Sequence, residues 1–167
     1  MNHTDKTALY NTLIEQIRSL VAGEHNMIGV LANVSAAMKQ TFPNQYFWVG
    51  FYLVRNDELQ LGPFQGTVAC MRIAKGRGVC GTAWKENRTL IVSDVEQFAD
   101  HIACSSLSRS EIVVPIREKG SARVLGVIDI DSTSLHTFDE KDAEKLEEIA
   151  KILAEILENQ RIISNFV

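Results

Sequence analysis

A chain of 167 residues, 46% hydrophobic and 23% charged, has the size and balance of one globular domain that can bury its own core. Its 17 basic and 21 acidic residues leave a net charge of −4 with no clustered basic run, which argues against nucleic acid or a membrane surface as partner. No segment approaches the roughly 18 apolar residues of a membrane span, and the opening residues lack the pattern of a secretion signal, so a cytoplasmic protein is expected.

Thr4 or Asp5 is expected to cap a first helix, whose apolar residues Leu9, Leu13, Ile17 and Leu20 recur at helical spacing before Gly23 ends it. A second helix is predicted over Asn26–Gln40, striped by Met27, Leu31, Val34 and Met38 and stopped before Pro43. From Tyr46 the pattern turns aromatic and β-branched, so YFWVGFYLVR reads as a strand. Asn56-Asp57 is a turn and ELQLG its hairpin return. TVACMRI reads as a third strand, GRGVCGTAWKEN as a Gly-rich loop entering a short helix, and TLIVSD as a short strand. The stretch from Val95 to Ser110 has no period and is long for a connection, as functional loops often are. EIVVPIRE and RVLGVIDID form the strongest strand pair, joined at KGSA. Asp139 caps a last helix striped by Leu146, Ile149, Ala150, Leu153, Ile156 and Leu157. Strands joined by short turns between terminal helices predict an α+β fold: a central antiparallel sheet with the N- and C-terminal helices on one face. The apolar terminal helices also make a homodimer an expectation.

The three cysteines, Cys70, Cys80 and Cys104, are an odd set without a CxxC pair, which fits neither a secreted disulfide framework nor a structural zinc site. Cys104 lies in HIACSSLSRSE, near His101 and Arg109, and ranks first as a nucleophile. Cys70 looks strand-like. Cys80 stands where a helix begins, which favours a thiolate. Asp129 and Asp131 alternate with Ile128 and Ile130, so both carboxylates project from one face of their strand. Glu111 opens the neighbouring strand, which makes a shared cluster of three acids plausible. Such a cluster holds a proton near neutrality, or takes an ammonium group or a divalent cation. Trp48 and Tyr52 share a strand face, where core packing competes with a pocket wall.

GTVACMRIAKGRGVCGTAW, HIAC, SEIVVPI and GVIDIDSTSLHTFDEKD together resemble the free methionine-(R)-sulfoxide reductases, a family built on a GAF domain; FWVGFYL fits its early strand. The resemblance implies one GAF-like domain over 1–167, with helices over 1–42, sheet and active-site loops over 45–135 and a final helix over 139–160. It implies an enzyme in which Cys104 is the nucleophile, Cys70 resolves it as a disulfide and Cys80 is accessory. Glu111, Asp129 and Asp131 are then expected to hold the substrate and assist oxygen departure. Trp48 and Tyr52 become the wall around its thioether end, and Ile102 and Ala103 line the pocket. The substrate implied is free methionine sulfoxide. No bound cofactor or metal is implied; thioredoxin, fed by NADPH and thioredoxin reductase, is the implied reductant. Ser105 and Lys75 depart from the family pattern. The competing expectations are a GAF module that senses a small ligand, a redox sensor without turnover, and a structural dimerisation domain.

Overall fold

The structure, a computed structural model, describes residues 3–99 and 106–164. Helices α1 (His3–Val21) and α2 (Met27–Thr41) come first, followed by strands β1 (Trp48–Arg55), β2 (Glu58–Gln65) and β3 (Arg72–Ala74). Helix α3 (Gly78–Glu86), β4 (Leu90–Val92), a single 3-10 turn (Val95–Gln97), β5 (Ser110–Arg117), β6 (Val124–Ser132) and α4 (Glu140–Ser164) complete the chain. The six strands form one antiparallel sheet in the order β3-β2-β1-β6-β5-β4. This is the α+β architecture expected from the sequence.

Side-chain alternation divides the sheet into two chemically different faces. Val49, Phe51 and Leu53 of β1 lie with Ile112, Val114 and Ile116 of β5 and with Ile128 and Ile130 of β6. These residues pack under the apolar stripes of α1, α2 and α4 in one large core. The stripes on the terminal helices are therefore consumed within the chain, through residues such as Leu13, Ile17, Leu31, Leu146 and Leu153. On the opposite face Trp48, Tyr52, Val113 and Val127 meet Val79, Ala83 and Trp84 of α3 in a smaller core. Each fully buried aliphatic or aromatic side chain of this kind contributes on the order of 1.5–3 kcal/mol.

The helix ends follow their local chemistry. Asn26 caps α2, its side chain accepting from the Gly29 amide at 3.0 Å. At α4, Asp139 Oδ1 accepts from the amides of Lys141 (2.9 Å) and Asp142 (3.2 Å), while Asp142 Oδ2 accepts from the Asp139 amide at 2.9 Å. This reciprocal box satisfies amides that the first helical turn leaves without partners. Asp142 also accepts from Lys6 Nζ and Tyr10 Oη, both at 2.7 Å, which ties α1 to α4.

Two strand expectations need correction. TVACMRI is not one strand, because β3 holds only Arg72–Ala74. The preceding backbone is fixed by side chains instead: the Thr67 carbonyl accepts from Trp48 Nε1 at 3.0 Å and the Cys70 carbonyl from Tyr52 Oη at 2.9 Å. Conversely, β2 runs past ELQLG to Gln65. Pro63, which has no amide to donate, falls where the register with β1 shifts between Gly50 and Tyr52, so the ladder survives around it as a bulge.

Candidate active site

The smaller face of the sheet opens into a pocket of about 540 Å³, its mouth included, lined by Trp48, Tyr52, Thr67, Val68, Ala69, Ile73, Arg77, Gly78, Val79, Cys80, Ser108, Glu111, Asp129 and Asp131. Strand register explains its floor. Glu111 of β5 pairs with Asp131 of β6, and Val113 with Asp129, so the three acids converge on one face of adjacent strands. Across β1, Trp48 pairs with Asp131 and Gly50 with Asp129.

Gly50 separates the two aromatic residues. A Cβ there would come within 2.3 Å of Phe64 Cβ and 2.8 Å of the Trp48 ring. Its absence lets Trp48 lie over the strand, stacked on Tyr52 with centroids 6.0 Å apart and on Phe64 at 5.1 Å. The phenol of Tyr52 is held protonated by burial, aided by the surrounding acids Asp129, Asp131 and Glu111.

The acid cluster is closely packed and desolvated. Glu111 and Asp129 are both 6% exposed. Burial first, and then the charges of Asp129 and Asp131, push the Glu111 carboxyl well above the usual carboxylate range. Asp131 is pushed up by burial and by Asp129, and a hydrogen bond with Ser108 moderates the rise. Asp129 is raised by burial to about 6, moderated by hydrogen bonds with Cys80 and Glu111. Among the described residues, Asp129 Oδ1 and Arg109 Nε are buried side-chain atoms without a hydrogen-bond partner. A buried carboxylate oxygen in that state costs free energy on the order of 1–3 kcal/mol or more until a cationic or protic group meets it.

Cys80 occupies the first turn of α3 as expected, but the thiolate expected there is not favoured. Its side chain is 3% exposed and its Sγ lies 4.0 Å from Glu111 Oε1. Burial, and then the charges of Asp129 and Glu111, push its thiol well above the ordinary range. Burial and the charges across the pocket together outweigh the helix end, whose effect is confined to partial charges. The Cys80 Sγ and the carboxylates of Glu111 and Asp129 place three donor atoms within 4.8 Å of one another, a spacing that also suits a divalent cation.

Cys70 is half-buried and disulfide-bonded, while Cys80 is a free thiol. The expected residues Ile102, Ala103 and Cys104 lie outside the described residues. Among the described ones, the structure brings Trp48, Tyr52, Cys80, Glu111, Asp129 and Asp131 together around one cavity. Sequence reasoning missed Gly50, Arg77 and Ser108. Only Gly50 left a signal, as the one side-chain gap between Trp48 and Tyr52 on their shared strand face. Lys75, a departure from the family pattern, has a local partner: its Nζ lies 4.9 Å above the Trp84 ring.

The layered sheet and its pocket define the class of protein. The GAF domain family model matches residues 4–158, and the chain belongs to that family. Within it, this chain is 56% identical to GAF domain-containing protein A of Dictyostelium discoideum, over 89% of this chain and 92% of that one. It is 42% identical to the free methionine-R-sulfoxide reductase of Escherichia coli, over 92% and 91% of the two chains. The free methionine-R-sulfoxide reductase of Neisseria meningitidis, solved in complex with its substrate, superposes with a TM-score of 0.89 at 52% identity, covering 98% and 96% of the chains.

Proposed function

We propose that this chain reduces free methionine (R)-sulfoxide to methionine with its own thiols. The observation that carries this reading is the orphaned Asp129 oxygen within a cluster of raised carboxyls, in a pocket walled by Trp48 and Tyr52. A sulfoxide sulfur is electrophilic only while its oxygen is protonated or strongly hydrogen-bonded, so the site needs an acid that keeps its proton at neutral pH. Burial and mutual repulsion give Glu111 and Asp131 that property. Asp129, raised only to about 6, is ionised at neutrality and suits the substrate ammonium through its free oxygen. That pairing selects the free amino acid over a peptide-bound residue, which has no α-ammonium. The stacked Trp48 and Tyr52 offer an apolar wall for the thioether end.

In the reaction, Cys104 as thiolate attacks the sulfoxide sulfur while a carboxylic acid protonates the oxygen. A bond forms between the Cys104 sulfur and the substrate sulfur as the protonated oxygen leaves as water; water then attacks the Cys104 sulfur, the S–S bond breaks, and methionine leaves with Cys104 as a sulfenic acid. The Cys70 thiol condenses with it, releasing water and forming the Cys70–Cys104 disulfide. The disulfide state of Cys70 supports this pairing. An external dithiol, thioredoxin in this reading, returns both thiols by exchange. Cys80, buried and holding its proton, donates toward Glu111 and serves the acid cluster rather than the attack. No bound metal or organic cofactor takes part in these steps. We read the protein as cytoplasmic; the homodimer expected from the apolar terminal helices is not proposed, because those stripes are buried within the chain.

The test is NADPH consumption through thioredoxin reductase and thioredoxin, with separate R and S epimers of free methionine sulfoxide and a peptide-bound form. Turnover is expected with the free R epimer alone. Cys104→Ser should abolish even one turnover, and Cys70→Ser should stall after about one per chain. A fully active Cys104→Ser protein, or ligand-induced stabilisation without any sulfoxide-dependent NADPH consumption, would return the chain to the sensing modules of its class.

A further inference from the structure

The surface around Cys70 extends beyond the pocket: Val68 and Arg77 line the pocket, whereas Met71, Arg72 and Lys75 do not. Among the described residues, the most exposed large apolar side chains are Val68 at 88% and Met71 at 71%. They flank the disulfide-bonded Cys70 on both sides in the chain. Immediately beyond stand Arg72, Lys75 and Arg77, all exposed, giving a cationic rim to a chain whose net charge is −4. Arg72 reaches Glu58 at 3.3 Å, yet its side chain remains 72% exposed. Met71 and Arg72 take no part in lining the pocket, so substrate binding does not account for them. Two large apolar side chains left in water on either side of one disulfide-bonded cysteine suit a contact surface.

We infer that the Val68–Arg72 segment, with Lys75 and Arg77 at its rim, is the docking surface for a protein dithiol whose contact face is apolar with an acidic edge. The inference deepens the proposed reductase cycle and rests on its need for an external reductant. The chemistry of exchange fixes the location. The reductant's thiolate must reach a sulfur of the disulfide directly, so whatever surface surrounds Cys70 becomes the contact surface of any protein that attacks there. A bond forms between the reductant sulfur and Cys70 Sγ. The bond from Cys70 to its present partner sulfur breaks, and that sulfur leaves as a thiolate and takes a proton. The second thiol of the reductant then attacks the mixed disulfide, releasing Cys70 as a thiolate. Two electrons and two protons pass to this chain, and the reductant becomes a disulfide. A small dithiol needs no docking surface for these steps, whereas a protein does. Apolar anchors beside the reacting sulfur hold the complex together, and the charged rim steers its approach.

The experiment follows reduction of the Cys70 disulfide in the oxidised full chain, with no sulfoxide present, by either thioredoxin or dithiothreitol. Its outcome therefore does not depend on whether the chain turns over sulfoxide. Met71→Ser with Arg72→Glu should slow reduction by thioredoxin roughly tenfold or more, the loss expected of an interface anchor, and leave the dithiothreitol rate unchanged. Raising the salt concentration should slow thioredoxin with the wild type and should affect the Arg72→Glu variant less. Arg72→Lys should restore the wild-type rate. An unchanged thioredoxin rate in the double variant overturns the inference, as does a wild type that thioredoxin reduces no faster than dithiothreitol at equal thiol concentration. Absence of sulfoxide turnover with intact thioredoxin preference overturns the proposed reaction instead.

Discussion

The chain buries acid on both sides of its sheet, and the two places differ in one respect. Asp142, on the helical side, is 3% exposed, and Asp129, in the pocket, is 6% exposed. Asp142 receives Lys6 Nζ, Tyr10 Oη and the Asp139 amide, so every partner comes from the chain itself. Asp129 has acids and a thiol for neighbours and one oxygen with no hydrogen-bond partner among the described residues. Equal burial thus marks a structural joint in one case and an unfilled binding position in the other. The missing partner, rather than the burial, points to a ligand.

The comparison breaks most visibly at Asp142. Asp142→Ala leaves Lys6 and Tyr10 without their acceptor and removes half of the cap on α4, and should cost about 3–5 kcal/mol of unfolding free energy, measured by urea denaturation. Sulfoxide affinity of the folded fraction should not change. Asp129→Asn should act with the opposite sign. The Asp129 carboxyl sits at about 6 rather than 3.8, so between those values the folded chain binds more protons than the unfolded one, and stability falls as pH rises. Removing that group should stabilise the empty protein on the order of 1–3 kcal/mol at pH 7, with little gain at pH 4. The same variant should weaken methionine sulfoxide binding roughly 10–100-fold, the value of a charged hydrogen bond. Equal destabilisation by both substitutions would erase the distinction. The smallest effect should come from Lys75→Ala, which removes an exposed cation from the face of Trp84 and should lower Tm by only about 1–3 °C.

Much of the pocket was legible because strand alternation is a local rule. Asp129 and Asp131 share a face whatever else the chain does, and a turn at KGSA brings Glu111 alongside them. The helical stripes were readable for the same reason. What the sequence could not show was decided by distant groups. The protonation of Cys80 depends on its burial and then on Asp129 and Glu111, far along the chain, and these override a helix start that is visible locally. The backbone of Thr67–Cys70 looked like a strand because Val68 and Thr67 favour one, yet the side chains of Trp48 and Tyr52 claim its carbonyls. Ser108 and Arg77 belong to irregular segments where no periodicity announces a direction.

Both margins of the sheet are formed by three-residue strands, β3 and β4, while the four inner strands have eight or nine residues. Short borders offer little template for a neighbouring chain to extend. They also isolate the covalent chemistry mechanically. Cys70 precedes β3, the outermost strand, so any backbone displacement that accompanies making or breaking its sulfur bond falls on a peripheral ribbon. The long ladder that spaces Glu111, Asp129 and Asp131 lies two or more strands further in.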